Sequence, residues 1–241
     1  MQKKQKKLDT DLAFKFREQI YSLVIPVLAD GIASQLKLRN PTKKELEETY
    51  QISMRVLFRL LFIAYAEEKD LLPHKSNKLY QENSLKTIAE NLLDLWNSKH
   101  EFGPEFSWWD KFQSILRAFK DGNTDWDIPA YSGGLFSIDQ SDSKFLTTLE
   151  EIKLPDYYFG PILQNLLLVK NSEIGKSLVD FSKLDFEEFG TIYQGLLESE
   201  LSVAETDLLQ EKKGKYKGTY RECLEHEDLE IVKGQVYLLN R

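Results

Sequence analysis

Three Glu-x-Lys triplets occur in the chain, at Glu67-Glu68-Lys69, Glu151-Ile152-Lys153 and Glu211-Lys212-Lys213. In metal-dependent nucleases such a triplet, joined by an Asp, converges from adjacent strands on Mg2+ and an attacking water. Here the first two stand at or near predicted helix ends and the third in a charged linker. With 29% charged residues, the chain yields such triplets by chance. Cys223 and His226 have a spacing that can share one zinc, but two ligands do not make a structural site, and His74 and His100 are far off in sequence. No serine sits in a nucleophile elbow. Gly133-Gly134 lacks the strand–glycine-loop–helix frame and the lysine of a phosphate cradle. The expectation is a segment with no catalytic, cofactor-binding or metal-binding residue of its own.

The informative polar residues are structural or interfacial. Arg55 and Arg59 lie one turn apart on an otherwise apolar helix, so Arg59 at least is partly buried. A buried guanidinium needs a carboxylate or carbonyl, or it costs several kcal/mol. Glu67, Glu68 and Glu198 are the candidate partners. The favoured reading is a core clamp onto the helix that begins at Asp185, ahead of contact with DNA phosphates. Gly190 and Gly195 each weaken that last helix by about 1 kcal/mol relative to Ala. Close approach of a neighbouring backbone at Gly190, beside Tyr193, is the expected compensation. Tyr131 with Gly133-Gly134 is read as docking an irregular loop on a neighbouring domain. Trp108, Trp109 and Trp126 read as core or interface in preference to base-stacking platforms.

The elements that must hold these residues follow from hydrophobic period. Leu12, Phe16, Ile20, Leu23, Val24, Val27 and Leu28 recur at three and four, the helical spacing. Pro26 must kink or divide that helix, lacking the N–H that would bond to residue 22. Thr42-Lys43-Lys44-Glu45 spells a capping box, opening a helix to about Glu68. Val56 to Ala66 is apolar on all faces and is taken as the buried spine. Further helices are expected over Ser84–Asn97, Ser107–Lys120 (closed by Gly122), Tyr157–Lys170 and Asp185–Ser199, with a shorter one around Lys144–Ile152. Asp121 to Ser141 reads as irregular. Glu211 to Thr219 reads as an exposed linker, and Leu229 to Leu239 as a hairpin turning at Lys233-Gly234. The fold class is therefore all-α: an irregular helical bundle with a small C-terminal extended, β-hairpin appendage. Residues 1–7 form a disordered basic tail, 8–205 the helical domain, and 206–241 the charged linker and hairpin. The natural polypeptide is expected to continue past Arg241.

Composition bounds the function. Of 241 residues, 41% are hydrophobic and 12% aromatic, ample for a core. Lys and Arg number 32 against 39 Asp and Glu, a net charge of −7, so the surface repels phosphate on average. A single cysteine excludes an intrachain disulfide and fits a reducing, cytoplasmic setting. A bilayer span needs about twenty apolar residues, and no stretch approaches that length, so no membrane partner is expected.

Three segments together resemble a known family. Arg55 to Pro73 (RVLFRLLFIAYAEEKDLLP) resembles the arginine-studded buried helix ahead of the catalytic domain in type IIG and Eco57I-like adenine-specific DNA methyltransferases of restriction–modification systems, and in related phage-defence methylases. Ile128 to Phe136 (IPAYSGGLF) is similar to their glycine-pair loop. Leu184 to Glu198 (LDFEEFGTIYQGLLE) is similar to their helix with a glycine before an Ile-Tyr pair. Order and spacing agree over most of Thr42 to Glu200. The resemblance implies a non-catalytic helical scaffold joined to a methyltransferase domain, and in some members a nuclease domain, with DNA met through the parent enzyme. S-adenosylmethionine would serve the parent, and Mg2+ if it also cuts. The Asn-Pro-Pro-aromatic loop that holds a flipped adenine is missing; Asn40-Pro41-Thr42 lacks the second proline and the aromatic. Two rivals remain, a free-standing helical interaction module and a divergent nuclease.

Overall fold

The computed structural model describes residues 13–131, 133–136, 151–171, 175–184, 186–210, 220–222 and 231–240. Its described part is mostly helical, as expected, with three short two-stranded pairings.

The first rod shows how Pro26 is accommodated. Residues 13–19 are helical, a π turn occupies Ile20–Val24, and α1 spans Ile25–Gln35 with Pro26 in its first turn. The widened turn lets the Ile25 N–H bond to the Ile20 carbonyl, five residues back, so the helix restarts where proline needs no donor. Phe16, Ile20, Val24, Leu28 and Ile32 form one fully buried stripe. Lys37 and Asn40, both at positive φ, then reverse the chain.

Helix α2 (Lys43–Glu68) opens with the expected capping box: Thr42 Oγ1 accepts from the Glu45 N–H at 3.3 Å, and Glu45 accepts from the Thr42 N–H at 2.7 Å. Its 26 residues make it about 39 Å long. Val56, Leu57, Leu60, Leu61, Ile63, Ala64 and Ala66 are buried, so the spine is where the sequence places it. Burial is not complete all round. Phe62 is 40% exposed and Phe58 half-buried; Phe58 meets Tyr193, and Phe62 meets Phe119 and Phe136, edge-on.

α3 (Lys78–Asn83), α4 (Leu85–Asn97), α5 (Ser107–Asp121) and α6 (Asp156–Leu167) follow; α4 packs on the spine, on α3 and on α6, and α5 packs on α6. Trp109, Phe112 and Phe159 meet edge-on and tilted at 4.8–5.8 Å, joining α5 to α6. Gly122, at φ 79°, stops α5. The expected helix to Lys170 ends early. At Leu167 the chain turns extended, and β1 (Leu168–Asn171) pairs antiparallel with β2 (Gly175–Leu178). Gln19 Nε2 donates to the Asn165 and Leu168 carbonyls, satisfying acceptors that the end of the helix frees.

α7 (Phe186–Leu197) leads into β3 (Ser199–Val203), then β4 (Leu208–Gln210), β5 (Tyr220–Glu222) and β6 (Val236–Asn240). The expected local hairpin is corrected here. The turn at Lys233-Gly234 exists, with Gly234 at φ 88°. Among the described residues its two arms form no ladder with each other: Ile231 bridges Leu208, while β6 pairs antiparallel with β3 from Ser199↔Asn240 to Val203↔Val236, and Leu229 and Glu230 lie outside the described residues. Burial decides it: Val236, Leu238 and Leu201 reach the main core, which a free hairpin could not offer them. Residues 1–7, the linker at 211–219 and the helix expected around Lys144–Ile152, except its last two residues, lie outside the described residues, as does the Asp185 cap.

Candidate functional site

A groove of about 1030 Å³ lies between the outer face of α2 and the α7–β3 segment. The capping box fixes the register of α2, so Leu46, Tyr50, Met54 and Phe58, spaced four apart, line one wall. Tyr193, Leu197 and β3 line the other, and Gly134-Leu135 closes one end. Two contacts set its width. The Tyr50 hydroxyl donates to the Leu196 carbonyl at 2.6 Å, and burial holds that phenol's pKa far above its ordinary value, so it stays a donor. Phe58 meets Tyr193 edge-on at 5.3 Å.

Arg59 is half-buried, as expected, and its Nε donates to the Leu135 carbonyl at 2.9 Å. The clamp thus reaches the glycine-pair loop through a backbone carbonyl. Arg55 is half-buried in the groove wall. Glu67 faces the other way. Only 1% exposed, it accepts from the Tyr80 hydroxyl at 2.7 Å and from the Leu85 and Lys86 N–H groups at 2.9 Å each. Burial raises its pKa, and those three donors partly offset the rise. It caps α4 from another helix. Glu68 pairs with Lys86 at 3.1 Å, and Glu198 is exposed.

The glycines also need correction. An added Cβ at Gly190 meets nothing within 4 Å, so no backbone approaches it. Gly195 is the crowded one, where a Cβ would collide with the Tyr21 hydroxyl, which donates to the Ile192 carbonyl at 3.2 Å. Gly133 and Gly134 are exposed with open space around them. The loop they belong to docks within the domain: Tyr131 and Phe136 stack on Phe119 at 5.0 and 4.9 Å, and Phe136 also meets Phe62 edge-on. Trp109 is core, Trp126 lies edge-on to Tyr80, and Trp108 carries Lys111 over its ring.

Sequence reasoning missed Asp156. It is buried, and it accepts from the Ser107 and Trp108 N–H groups at 3.2 and 3.0 Å, capping α5, whose own N-cap Phe106 offers no side-chain acceptor. No local motif signals a cap supplied from a distant segment.

As for chemistry, no group of three His, Cys, Asp or Glu able to hold a metal occurs among the described residues. Glu67-Glu68-Lys69 is at a helix end. Lys153, of the second triplet, pairs with Asp110 at 3.0 Å and lies over Phe106, in no sheet. The third triplet and the Cys223–His226 pair lie outside the described residues. No described helix is long and apolar enough to cross a membrane. Comparison with known protein families, curated proteins and solved structures returns no match to this chain.

Proposed function

We propose that this chain is a non-catalytic helical scaffold segment of a cytoplasmic restriction–modification enzyme, whose parent polypeptide is an S-adenosylmethionine-dependent adenine-N6 DNA methyltransferase of type II character, with Mg2+ needed only if it also cleaves. The observation that carries it is convergence. The three segments bearing the family resemblance are far apart in sequence, yet Arg59 bonds to Leu135, Phe58 packs on Tyr193, and Arg55, Gly134 and Tyr193 border one groove. Such a cluster suits a face that braces adjoining methyltransferase or nuclease parts, and DNA is met through the parent.

The test is the gene and its full product. The reading frame past Arg241 is expected to encode Asn-Pro-Pro-Tyr or Asn-Pro-Pro-Phe, and the purified full product to place N6-methyladenine in DNA. The chain alone is expected neither to bind S-adenosylmethionine nor to methylate. A stop codon after Arg241 sinks this reading and leaves a free-standing interaction module, for which the groove would be the partner site.

A further inference from the structure

We infer that the half of the groove between Tyr50 and Gly134 is covered by the stretch of the parent polypeptide that directly follows Arg241, laid in extended form over Phe58, Tyr193 and Leu197. This rests on the methyltransferase reading and names which adjoining part the face receives.

Strand pairing sets the starting point. The last rung of the β3–β6 ladder is Ser199↔Asn240. Ser199 borders the groove and stands two residues beyond Leu197, which is 59% exposed. The polypeptide therefore leaves β6 one rung away from the groove lining. Direction follows from the antiparallel ladder. β3 runs away from α7, so β6 runs toward it, and past Asn240 the chain heads to the α7 side of the groove. That side carries two contacts, the Tyr50 hydroxyl on the Leu196 carbonyl and Phe58 edge-on to Tyr193. The path from the first to the second leads toward Gly134-Leu135 at the end of the groove.

The dimensions agree. Tyr50 and Phe58 are eight residues apart on one helix, about 12 Å. An extended chain covers that distance in about four residues, so about ten residues past Arg241 suffice to round Leu197 and reach Gly134. Tyr193 is 48% exposed, and Met54, Phe58 and Leu135 are half-buried around it. The charged lining is balanced, Lys43 and Arg55 against Glu47 and Glu200, so it favours no free partner of either sign. A tethered segment needs no such preference. Held a few residues from the groove, it is present at an effective concentration in roughly the millimolar range, and apolar contact is enough to keep it there. A second copy has no tether, and each copy carries a net charge of −7, so long-range repulsion opposes it.

The experiment photo-crosslinks the full parent. Benzoylphenylalanine replaces Leu197 in one preparation and Tyr193 in another; both side chains are exposed, so folding is retained. After irradiation, mass spectrometry is expected to find each site joined to a peptide from about the first ten residues past Arg241. Mixing parent grown in heavy and light nitrogen separates links within one molecule from links between two. In parallel, hydroxyl-radical footprinting compares the parent with the 241-residue chain. Oxidation of Phe58, Tyr193 and Leu197 is expected to fall several-fold in the parent. Links to a remote part of the parent or to a second molecule overturn the inference, and so does unchanged oxidation. A parent that methylates DNA but crosslinks elsewhere sinks this inference and leaves the methyltransferase reading standing, whereas a stop codon after Arg241 removes both.

Discussion

Removing the Glu67 carboxylate tests the idea that α4 is held to the spine by a cap borrowed from α2. Three donors converge on this side chain, the Tyr80 hydroxyl and the first two N–H groups of α4. In Glu67→Ala all three lose their acceptor in a site that is 1% exposed. Each orphaned buried donor costs about 1–3 kcal/mol, and water entering the vacated space recovers part, so a loss of about 3–5 kcal/mol is expected. For a chain of 241 residues that is a fall in Tm of about 10 °C. Glu67→Gln keeps one acceptor oxygen for two of the donors but turns an NH2 toward the third, for about 1–3 kcal/mol. The pH dependence adds a sign. Burial raises the Glu67 pKa, so the folded chain holds this proton more tightly than the unfolded chain does. Its stabilisation is fully present below the unfolded value of about 4.3 and is lost as pH rises through the raised folded value. Glutamine does not titrate, so the deficit of Glu67→Gln should be larger near pH 4.5 than near pH 8. Urea denaturation at both pH values measures this. A loss under about 1 kcal/mol for Glu67→Ala, or a glutamine deficit that grows with pH, would refute the reasoning.

Three further substitutions separate incidental from required features. Gly190→Ala should stabilise by about 1 kcal/mol, since the helix gains propensity and the methyl meets open space. Gly195→Ala, one turn on, should destabilise because the methyl strikes the Tyr21 hydroxyl, and Tyr21→Phe should recover part of the loss; thermal melts of the three variants decide it. Asp156→Ala should cost about 1–3 kcal/mol by uncapping α5, with faster amide exchange at Ser107 and Trp108 as its local signature.

What the sequence made legible is what local chemistry specifies. The capping box at Thr42, the stop at Gly122 and the buried run from Val56 are written within a turn or two of where they act. The misjudged features depend on distant partners. Glu67 looked like a candidate for the arginines because it sits on the same helix, yet its partners come from Tyr80 and the start of α4. Gly190 and Gly195 look alike in sequence, and only the position of Tyr21 distinguishes them. Leu229 to Leu239 alternates as a strand pair should, but alternation does not name the partner, and β3 supplied a better one. The groove is legible only in fragments: Arg55, Gly134 and Tyr193 stand out by residue type, while Leu46, Tyr50 and Met54 are apolar residues at helical spacing with no chemical signal. A helix stripe reads the same whether a neighbour covers it or a cleft lies in front of it.

The late pairing of β6 with β3 has a consequence for biosynthesis. Val236 follows its partner Val203 by 33 residues, so at about 5–20 residues per second the emerging chain waits roughly 2–7 seconds with the β6 flank of β3 bare. During that interval Leu201 and its neighbours offer a template to any passing extended chain. Ribosome-bound nascent chains halted before Val236 should therefore recruit chaperones that chains halted well beyond Asn240 release.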